Sequence, residues 1–569
     1  MAQTVYRANL SARGFPFLSE NFGRSVIVPY YDQNFNRQVV SPEDSDKDVG
    51  IPQVYYCENV LPTPQGFAVP FAQLNTNSSP FDISSRINYR IYRQSNKVVL
   101  VYGDAVSSSA AIQFTHRSKN SGANAGWSVT TSVSIPGLPA LNVVFFQALL
   151  GQSIFLNGYT YIFLGQKFNT STLVYGAISF LRLESGGVSF TVQEATGLTA
   201  VVNPRIISAT TAGGYMIVAG NSNIGGTRAD TIYYSSLTDP LDFTPSATTG
   251  AGFIRVREVQ GDITHLIPAR GGFYIFSTLN AVFAAFTGNT RAPFAFRAVP
   301  NCGGIPEGRA PRVAQSAENT QAFVIAANGL LTLSGQEVDL VSSDFLEYIT
   351  GRKFETFAFG PPPTFSTVRT AQASQAPLYE LNFLCNRYLV ISFNYSVYGG
   401  SGAVTYTHAL IYDYFLKRWG RLKIDHEMVY ADGWGSGDNI DCLAFYSAAT
   451  GNTTYLLPQH DRNASENIIQ GVLLLGKYQF NRAQMLSLQK VELENSIKTI
   501  SGANGNCVVY DFYSLDGKNT VPVAMTEFGS SEELQVFLGN KVAKNHSVLI
   551  YGQFNINSLV LTFTSEGRV

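Results

Sequence analysis

Seven times between about residue 95 and residue 458 the chain repeats one short phrase, a tight turn followed by an aromatic or aliphatic strand, at intervals of roughly 50 to 65 residues. The turns are Ser95-Asn96, Asn157-Gly158, Gly213-Gly214, Gly271-Gly272, Asn319-Thr320, Asn386-Arg387 and Gly451-Asn452. Runs such as Tyr161-Ile162-Phe163-Leu164, Tyr215-Met216-Ile217-Val218 and Phe273-Tyr274-Ile275-Phe276 follow them. Asn-Gly and Gly-Gly suit two-residue hairpins because both central positions of a type I′ turn need positive φ, which a β-carbon resists. The aromatic and β-branched residues that follow fill a pleated, half-buried surface. A unit of about 55 residues holds four short antiparallel strands with their loops, which is the size of a β-propeller blade. The sequence therefore predicts an all-β chain built on a β-propeller of six to seven four-stranded blades. A lone β-sandwich ranks second, because it has closely spaced turns but no longer period.

The 569 residues include 39 Lys and Arg, 40 Asp and Glu, and a charged fraction of only 14% against 45% hydrophobic. Average chains carry about a quarter charged residues, so this surface is unusually neutral and suits extensive subunit contacts. A net charge of −1 gives the whole chain no field that would draw in nucleic acid or an acidic membrane. Met1 to Phe17 lacks an apolar h-region, so the chain is expected to be made and folded in a cytosol. Phe273 to Phe286, the most apolar stretch, is broken by Ser277, Thr278 and Asn280 and is too short to span a bilayer, so no stable membrane insertion is expected.

Residues 1–85 do not scan as a blade. They read as an N-terminal docking arm, with the charged loop Ser41 to Asp48, plus a strand that closes the ring. Residues 86–460 are the propeller. One short helix is expected at Phe345 to Thr350, capped by Asp344 and ended by Gly351. Residues 461–569 change to strand-like runs between turns, such as Cys507 to Phe512 and Leu559 to Phe563, and read as a C-terminal β-sandwich-like domain.

Local chemistry is sparse. Asp44-Ser45-Asp46-Lys47-Asp48 spaces carboxylates as a calcium loop would, but its glycine is Gly50 rather than the residue directly after Asp48, and Tyr55 stands at the twelfth position, where such a loop needs a bidentate acid. Ser514-Leu515-Asp516-Gly517 reads as a hairpin turn. Six scattered histidines show no metal spacing, and the neighbours His426-Glu427 read as surface polarity. Gly433 to Gly437 is a glycine-rich turn without the helix a phosphate site requires. Cys57, Cys302, Cys385, Cys442 and Cys507 stand singly, which argues against disulfides and zinc; Cys385 and Cys442 read as small core hydrophobes. Trp127, Trp419 and Trp434 could stack on sugars, but core positions explain them more simply. No catalytic, metal or cofactor residue is assigned, no cofactor is expected, and the chain is expected not to be an enzyme. Carboxylates assembled from distant loops for glycoside cleavage are the exception that sequence leaves open.

Four stretches carry a family likeness: Cys57 to Gly66, similar to the family's phrase N-x-x-P-x-x-G; Tyr233 to Phe243; Phe276 to Asn280 with Gly303 and Ala327 to Leu330; and Leu410 to Trp419. In their order and spacing the chain resembles the tail nozzle proteins of short-tailed bacteriophages, also called tail tubular protein B or packaged-DNA stabilisation proteins. The resemblance implies a structural virion protein in the phage tail, assembled in the bacterial host cytoplasm. It would form a homo-hexamer below the portal and its tail adaptor protein, line the distal DNA-ejection channel, retain the genome and anchor tail fibres or spikes. Genomic double-stranded DNA would pass through without tight binding, since a strongly basic wall would grip phosphates. The alternative is a propeller glycan hydrolase or lectin acting on bacterial surface polysaccharide. A third class, a bacterial cytosolic scaffold, shares the fold and predicts a monomer.

Overall fold

The computed structural model describes residues 3–8, 10, 26–27, 54–64, 66–75, 89–94, 97–103, 111–118, 131–134, 153–169, 174–183, 190–198, 205–221, 230–305, 312–315, 320–326, 329–334, 337–343, 358–359, 365–366, 379–385, 387–393, 406–434, 440–447, 450, 452–457, 469–479, 484–495, 507–516, 520–528 and 534–568. These residues contain no α-helix. The helix expected at Phe345 to Thr350 and the acidic loop Asp44 to Asp48 lie outside them.

The chain is all-β and forms a β-propeller. Among the described residues seven sheets have four strands each. Blade 2 runs Ser153–Leu156, Tyr159–Asn169, Val174–Leu183 and Phe190–Glu194. Blade 3 runs Arg205–Ala212, Tyr215–Asn221, Thr231–Tyr234 and Gly252–Arg255. Blade 1 spans the strands from Tyr89 to Ser134, blade 4 those from Ile263 to Gly303, blade 5 those from Arg312 to Ser342, and blade 6 those from Tyr379 to His426. Each is an antiparallel meander in chain order. Blade 7 takes three strands from Met428–Trp434, Ile440–Ser447 and Asn452–Leu457, and its outer strand from the other end of the chain, Phe71–Asn75. The ring is thus closed by hydrogen bonds between residues nearly the length of the propeller apart in sequence.

The hairpins obey the turn chemistry where they are described. Asn157 and Gly158 have φ of 52° and 82°, and Gly213 and Gly214 have 59° and 87°, so both central positions are left-handed. Apolar residues then fill the seams. Ile206, Met216, Val218 and Tyr233 of blade 3 meet Ile154, Tyr161, Phe163 and Phe180 of blade 2. Tyr215, Ile217 and Tyr234 of blade 3 meet Leu266, Phe273, Ile275 and Phe294 of blade 4 in a set of edge-on aromatic contacts. Burying each such side chain contributes about 1.5–3 kcal/mol, so the seams rather than the isolated sheets hold the ring together.

Beside the ring lie two larger sheets, of seven and six strands, packed face to face. The long strands Gln484–Asn495 and Asn555–Arg568 pair along most of their length in one of them, and Gly471–Gln479 with Asn545–Gly552 forms the centre of the other. Both sheets also draw strands from the start of the chain: Gln3–Arg7 pairs Asn555–Arg568, and Val54–Glu58 pairs Gly471–Gln479. A polar bridge crosses their interior. The fully buried His546 places Nδ1 at 2.9 Å from the Asp511 carboxylate and Nε2 at 2.9 Å from the Leu486 carbonyl of the facing sheet.

Candidate functional site

Two kinds of construction fall on residues that carry chemistry: a joint between the ring and the paired sheets, and a cleft in the ring. The joint is the Cys57 to Gly66 stretch. Asn59 turns the chain at φ 56°, its Oδ1 accepts from the Lys423 amide at 3.0 Å and its Nδ2 donates to the Gln470 carbonyl at 3.1 Å. Val60 and Arg421 exchange both backbone hydrogen bonds, at 3.0 and 3.2 Å. Arg418 donates to the Thr63 carbonyl at 2.9 Å. Two glycines permit the close approach: a Cβ on Gly420 would stand 2.4 Å from the Val60 oxygen, and one on Gly66 would stand 2.0 Å from the Ile556 oxygen. The stretch from Asn59 to Gly66 is therefore a weld between two layers.

The cleft has a volume of about 450 Å³ and lies at one end of the seam between blades 2 and 3. Its floor follows from strand alternation. Tyr159 and Tyr161 are two apart and share a face, and Tyr161 stands opposite Arg182, which in turn stands opposite Thr191. Arg182 lies 4.6 Å over the Tyr159 ring and donates to the Tyr161 hydroxyl, so the guanidinium is held by a cation–π contact and a hydrogen bond together. Burial raises the Tyr161 phenol above its ordinary value, the Arg182 charge opposes that, and the Asp239 carboxylate adds to it. Asn157, Gln193, Glu194 and Thr196 complete the blade 2 side.

The facing wall is the loop Ser235 to Phe243 of blade 3. Thr196 and Asp242 form a parallel bridge, with Thr196 N donating to the Leu241 carbonyl at 2.8 Å and Phe243 N to the Thr196 carbonyl at 2.9 Å. The buried Ser236 hydroxyl organises the tip: it meets the Thr238 hydroxyl at 2.9 Å and accepts from the Thr238 amide at 3.1 Å. Asp239 Oδ1 accepts from the Leu241 amide at 2.9 Å, which fixes the carboxylate at the cleft mouth. Tyr159 and Arg182 are half-buried; Glu194, Thr238 and Asp239 are exposed. A concave, mostly polar site with an aromatic floor and convergent charged groups results.

The residues weighed in the sequence fall elsewhere. His426 and Glu427 are not surface polarity: they are 0% and 3% exposed, with His426 set between the Ser392 hydroxyl and the Ile424 carbonyl. Trp419 is buried and stacks on Tyr412 at 4.7 Å. Cys442 is buried, whereas Cys385 is only half-buried and holds a left-handed turn at φ 55°. Trp127 lies outside the described residues. Ser514 donates to Asp516 at 3.2 Å within a turn. Among the described residues no three of His, Cys, Asp and Glu cluster to hold a metal, and no helix is long and apolar enough to cross a membrane. The cleft residues escaped the sequence reading because they come from a turn, three strands and a neighbouring blade's loop. The one legible signal was the Thr238 to Asp242 phrase, which carried the family likeness but no role.

No family model matches the chain, and no curated protein matches it. Among solved structures the chain is similar to YCF48 bound to D1 peptide, at 12% identity over 70% of this chain and 97% of that one, with a TM-score of 0.32. It is similar to CoXyl43, a GH43 β-xylosidase/α-arabinofuranosidase from a compost microbial metagenome, at 10% identity over 48% of this chain and 99% of that one, with a TM-score of 0.26. The GH43_1 enzyme from Xanthomonas citri aligns at 9% identity over 45% and 84%, with a TM-score of 0.25. Likenesses of this size assign neither family nor substrate. The expectation that the chain is not an enzyme is withdrawn. Structures similar to it include glycoside hydrolases, and a missing local motif excludes nothing when the reacting groups come from separate loops.

Proposed function

We propose that the protein recognises a saccharide in the cleft between blades 2 and 3. The observation that carries this reading is the lining itself: the Tyr159 ring, braced from one side by Arg182, lies among Asn157, Gln193, Glu194, Thr238 and Asp239. Hydroxyl-rich ligands need paired donors and acceptors around an apolar platform, and this set supplies both. Glu194 and Asp239 accept from ligand hydroxyls, Arg182 and the amides donate, and the Ser236-centred turn keeps the wall in place before the ligand arrives. Binding alone makes the protein a lectin; cleavage of the bound glycan requires a carboxylate pair, for which Glu194 and Asp239 are the candidates.

Calorimetric titration with neutral oligosaccharides tests the reading, with release of reducing ends followed in parallel. Tyr159→Ala should weaken binding at least tenfold while thermal unfolding stays within a few degrees of the parent. A folded protein that binds no member of a broad glycan array would end it.

A second reading follows from the sequence likeness alone. The stretches that carry the nozzle likeness are architectural: Cys57 to Gly66 welds ring to sheets, and Tyr233 to Phe243 clasps two blades. In this reading the protein is a tail component of a short-tailed phage, a homo-hexamer under an adaptor, bearing fibres or spikes above passing DNA. Electron microscopy of assembled particles decides it, and any arrangement other than six-fold sinks it.

A further inference from the structure

The wall of the cleft has a second side, and what stands there says what kind of saccharide fits, an inference that rests on the saccharide reading above. Leu237 and Thr238 are adjacent residues of that wall. Thr238 lines the cleft, whereas the Leu237 side chain lies against the Gly213-Gly214 turn of its own blade, 3.4 Å from where a Cβ on Gly214 would stand. The same turn carries Phe286, the last residue of Asn280–Phe286 in blade 4. A Cβ on Gly213 would stand 2.3, 2.4 and 2.6 Å from three atoms of the Phe286 ring, so the ring lies directly on the glycine. Tyr215 and Phe294 support it with centroids at 6.4 and 6.2 Å, and Phe273 meets Phe294 edge-on at 5.2 Å. Tyr215, Phe273 and Phe294 are buried, while Phe286 is 38% and Leu237 40% exposed. Beyond Phe286 the chain turns as the first wall does: the Asn289 amide donates to Thr287 Oγ1 at 3.1 Å and the Arg291 amide to Asn289 Oδ1 at 2.9 Å. Asn289 is exposed, and its Nδ2 remains a donor.

We propose that the ligand is a saccharide chain, which runs from the Tyr159 floor over the Leu237-Thr238 crest onto Phe286. The two platforms are continuous, because adjacent residues, about 3.8 Å apart at Cα, face one each. They are alike in kind. Tyr159 and Phe286 each offer a ring to the C–H face of a sugar, and Thr238, Asp239 and Asn289 offer hydrogen bonds to its hydroxyl edge. Both are held by packing and turn hydrogen bonds before any ligand arrives, so little ordering offsets the contact. Two exposed apolar side chains fall far short of the about 800 Å² that each partner buries in a stable protein interface, and they suit a narrow chain instead. A short saccharide occupies the cleft alone. A longer one gains the second platform as an intramolecular contact, which raises affinity without a further association step.

The experiment is a calorimetric titration of the full chain with disaccharides and hexasaccharides cut from cellulose and from xylan. The hexasaccharides should bind at least about tenfold more tightly than the disaccharides of the same series. Phe286→Leu keeps an apolar cap over Gly213 but removes the ring, so it should bring hexasaccharide affinity down to the disaccharide level and leave the disaccharide unchanged. Leu237→Ala acts from the other end of the platform and should split the two lengths in the same sense, by less. Tyr159→Ala, in the cleft, should weaken both lengths. Equal affinity of the parent for the two lengths, or losses at Phe286 and Leu237 that are the same for both, overturns the chain proposal and leaves saccharide recognition standing. Failure of every oligomer to bind overturns both.

Discussion

Acid should weaken the protein through His426, and one substitution isolates the effect. The ring is 0% exposed; Nδ1 donates to the Ile424 carbonyl at 2.9 Å and Nε2 accepts from the Ser392 hydroxyl at 2.8 Å, a pattern that uses the neutral imidazole. Burial, opposed by the Ile424 bond, brings its pKa down from 6.5 to about 4. In the unfolded chain the ring takes up a proton near pH 6.5, while the folded chain refuses it until about pH 4. The unfolded state therefore binds more protons across that window, and stability falls as pH falls through it. At about 1.4 kcal/mol per pH unit the whole effect is about 3 kcal/mol, of which about 2 kcal/mol acts between pH 7 and pH 5. His426→Gln keeps an acceptor and a donor on the side chain but does not titrate. Since a ring of blades need not unfold in one step, hydrogen exchange of the flanking strands Tyr388–Phe393 and Arg418–His426 is the appropriate readout, corrected for the intrinsic pH dependence of exchange. The parent should lose about 2 kcal/mol more local stability than the variant on going from pH 7 to pH 5. Equal losses in both proteins would refute the argument.

Three further outcomes follow from the packing. Gly420→Ala places a Cβ 2.4 Å from the Val60 oxygen and forces the Val60–Arg421 bridge apart, at a cost of about 2–3 kcal/mol for two hydrogen bonds and their surroundings; limited proteolysis should then cut near residues 59–66 far faster, and an unchanged digestion pattern would show that the weld yields without breaking. His546→Phe removes the contact to the facing sheet at Leu486 and the contact to Asp511 in its own sheet, and strands the buried Asp511 carboxylate, so it should destabilise by about 3–5 kcal/mol, whereas the double change with Asp511→Leu should recover much of that loss in a thermal melt. Burial pushes the thiols of Cys57, Cys302 and Cys507 up to about 12, so a thiol-reactive disulfide reagent at pH 8 should leave these three unmodified in the native protein and label them in denaturant; native labelling of any of them would contradict its placement.

The propeller was legible because its signal is local and repeated. Asn157-Gly158 and Gly213-Gly214 take the left-handed conformation that a two-residue hairpin requires, and the residues after them are buried strands. What the sequence hid was pairing at a distance. Residues 1–85 were expected to hold a ring-closing strand, but nothing in Phe71 to Asn75 singles it out to lie beside Thr453 to Leu457, and nothing in Val54 to Glu58 announces Gly471–Gln479 as its partner. The His426-Glu427 misreading has the same origin, since two adjacent polar residues look exposed until blade 7 packs its Phe445 ring edge-on at 4.9 Å over the imidazole. The cleft was hidden for one more reason. Its residues are ordinary one by one, and only the pairing of Tyr159–Asn169 with Val174–Leu183, in a register that one irregularity at Gln166/Phe168 shifts and a second at Phe163/Gly165 restores, sets Tyr161 opposite Arg182.

The weld and the cleft also bear on each other. Phe71–Asn75 closes blade 7 and follows directly on the stretch that is fixed at Asn59, Val60, Thr63 and Gly66, so the ring cannot open at blade 7 without working against the weld to blade 6. At the seam of blades 2 and 3, by contrast, the backbone clasp among the described residues is a single bridge at Thr196 and Asp242 with a few backbone bonds around it. A ligand held between Tyr159 and Arg182 on one side and Thr238 and Asp239 on the other would add contacts across this seam. Its binding free energy would therefore appear as protection of the Thr196, Leu241 and Phe243 backbone rather than of the weld, because linkage stabilises the contacts that the ligand itself completes.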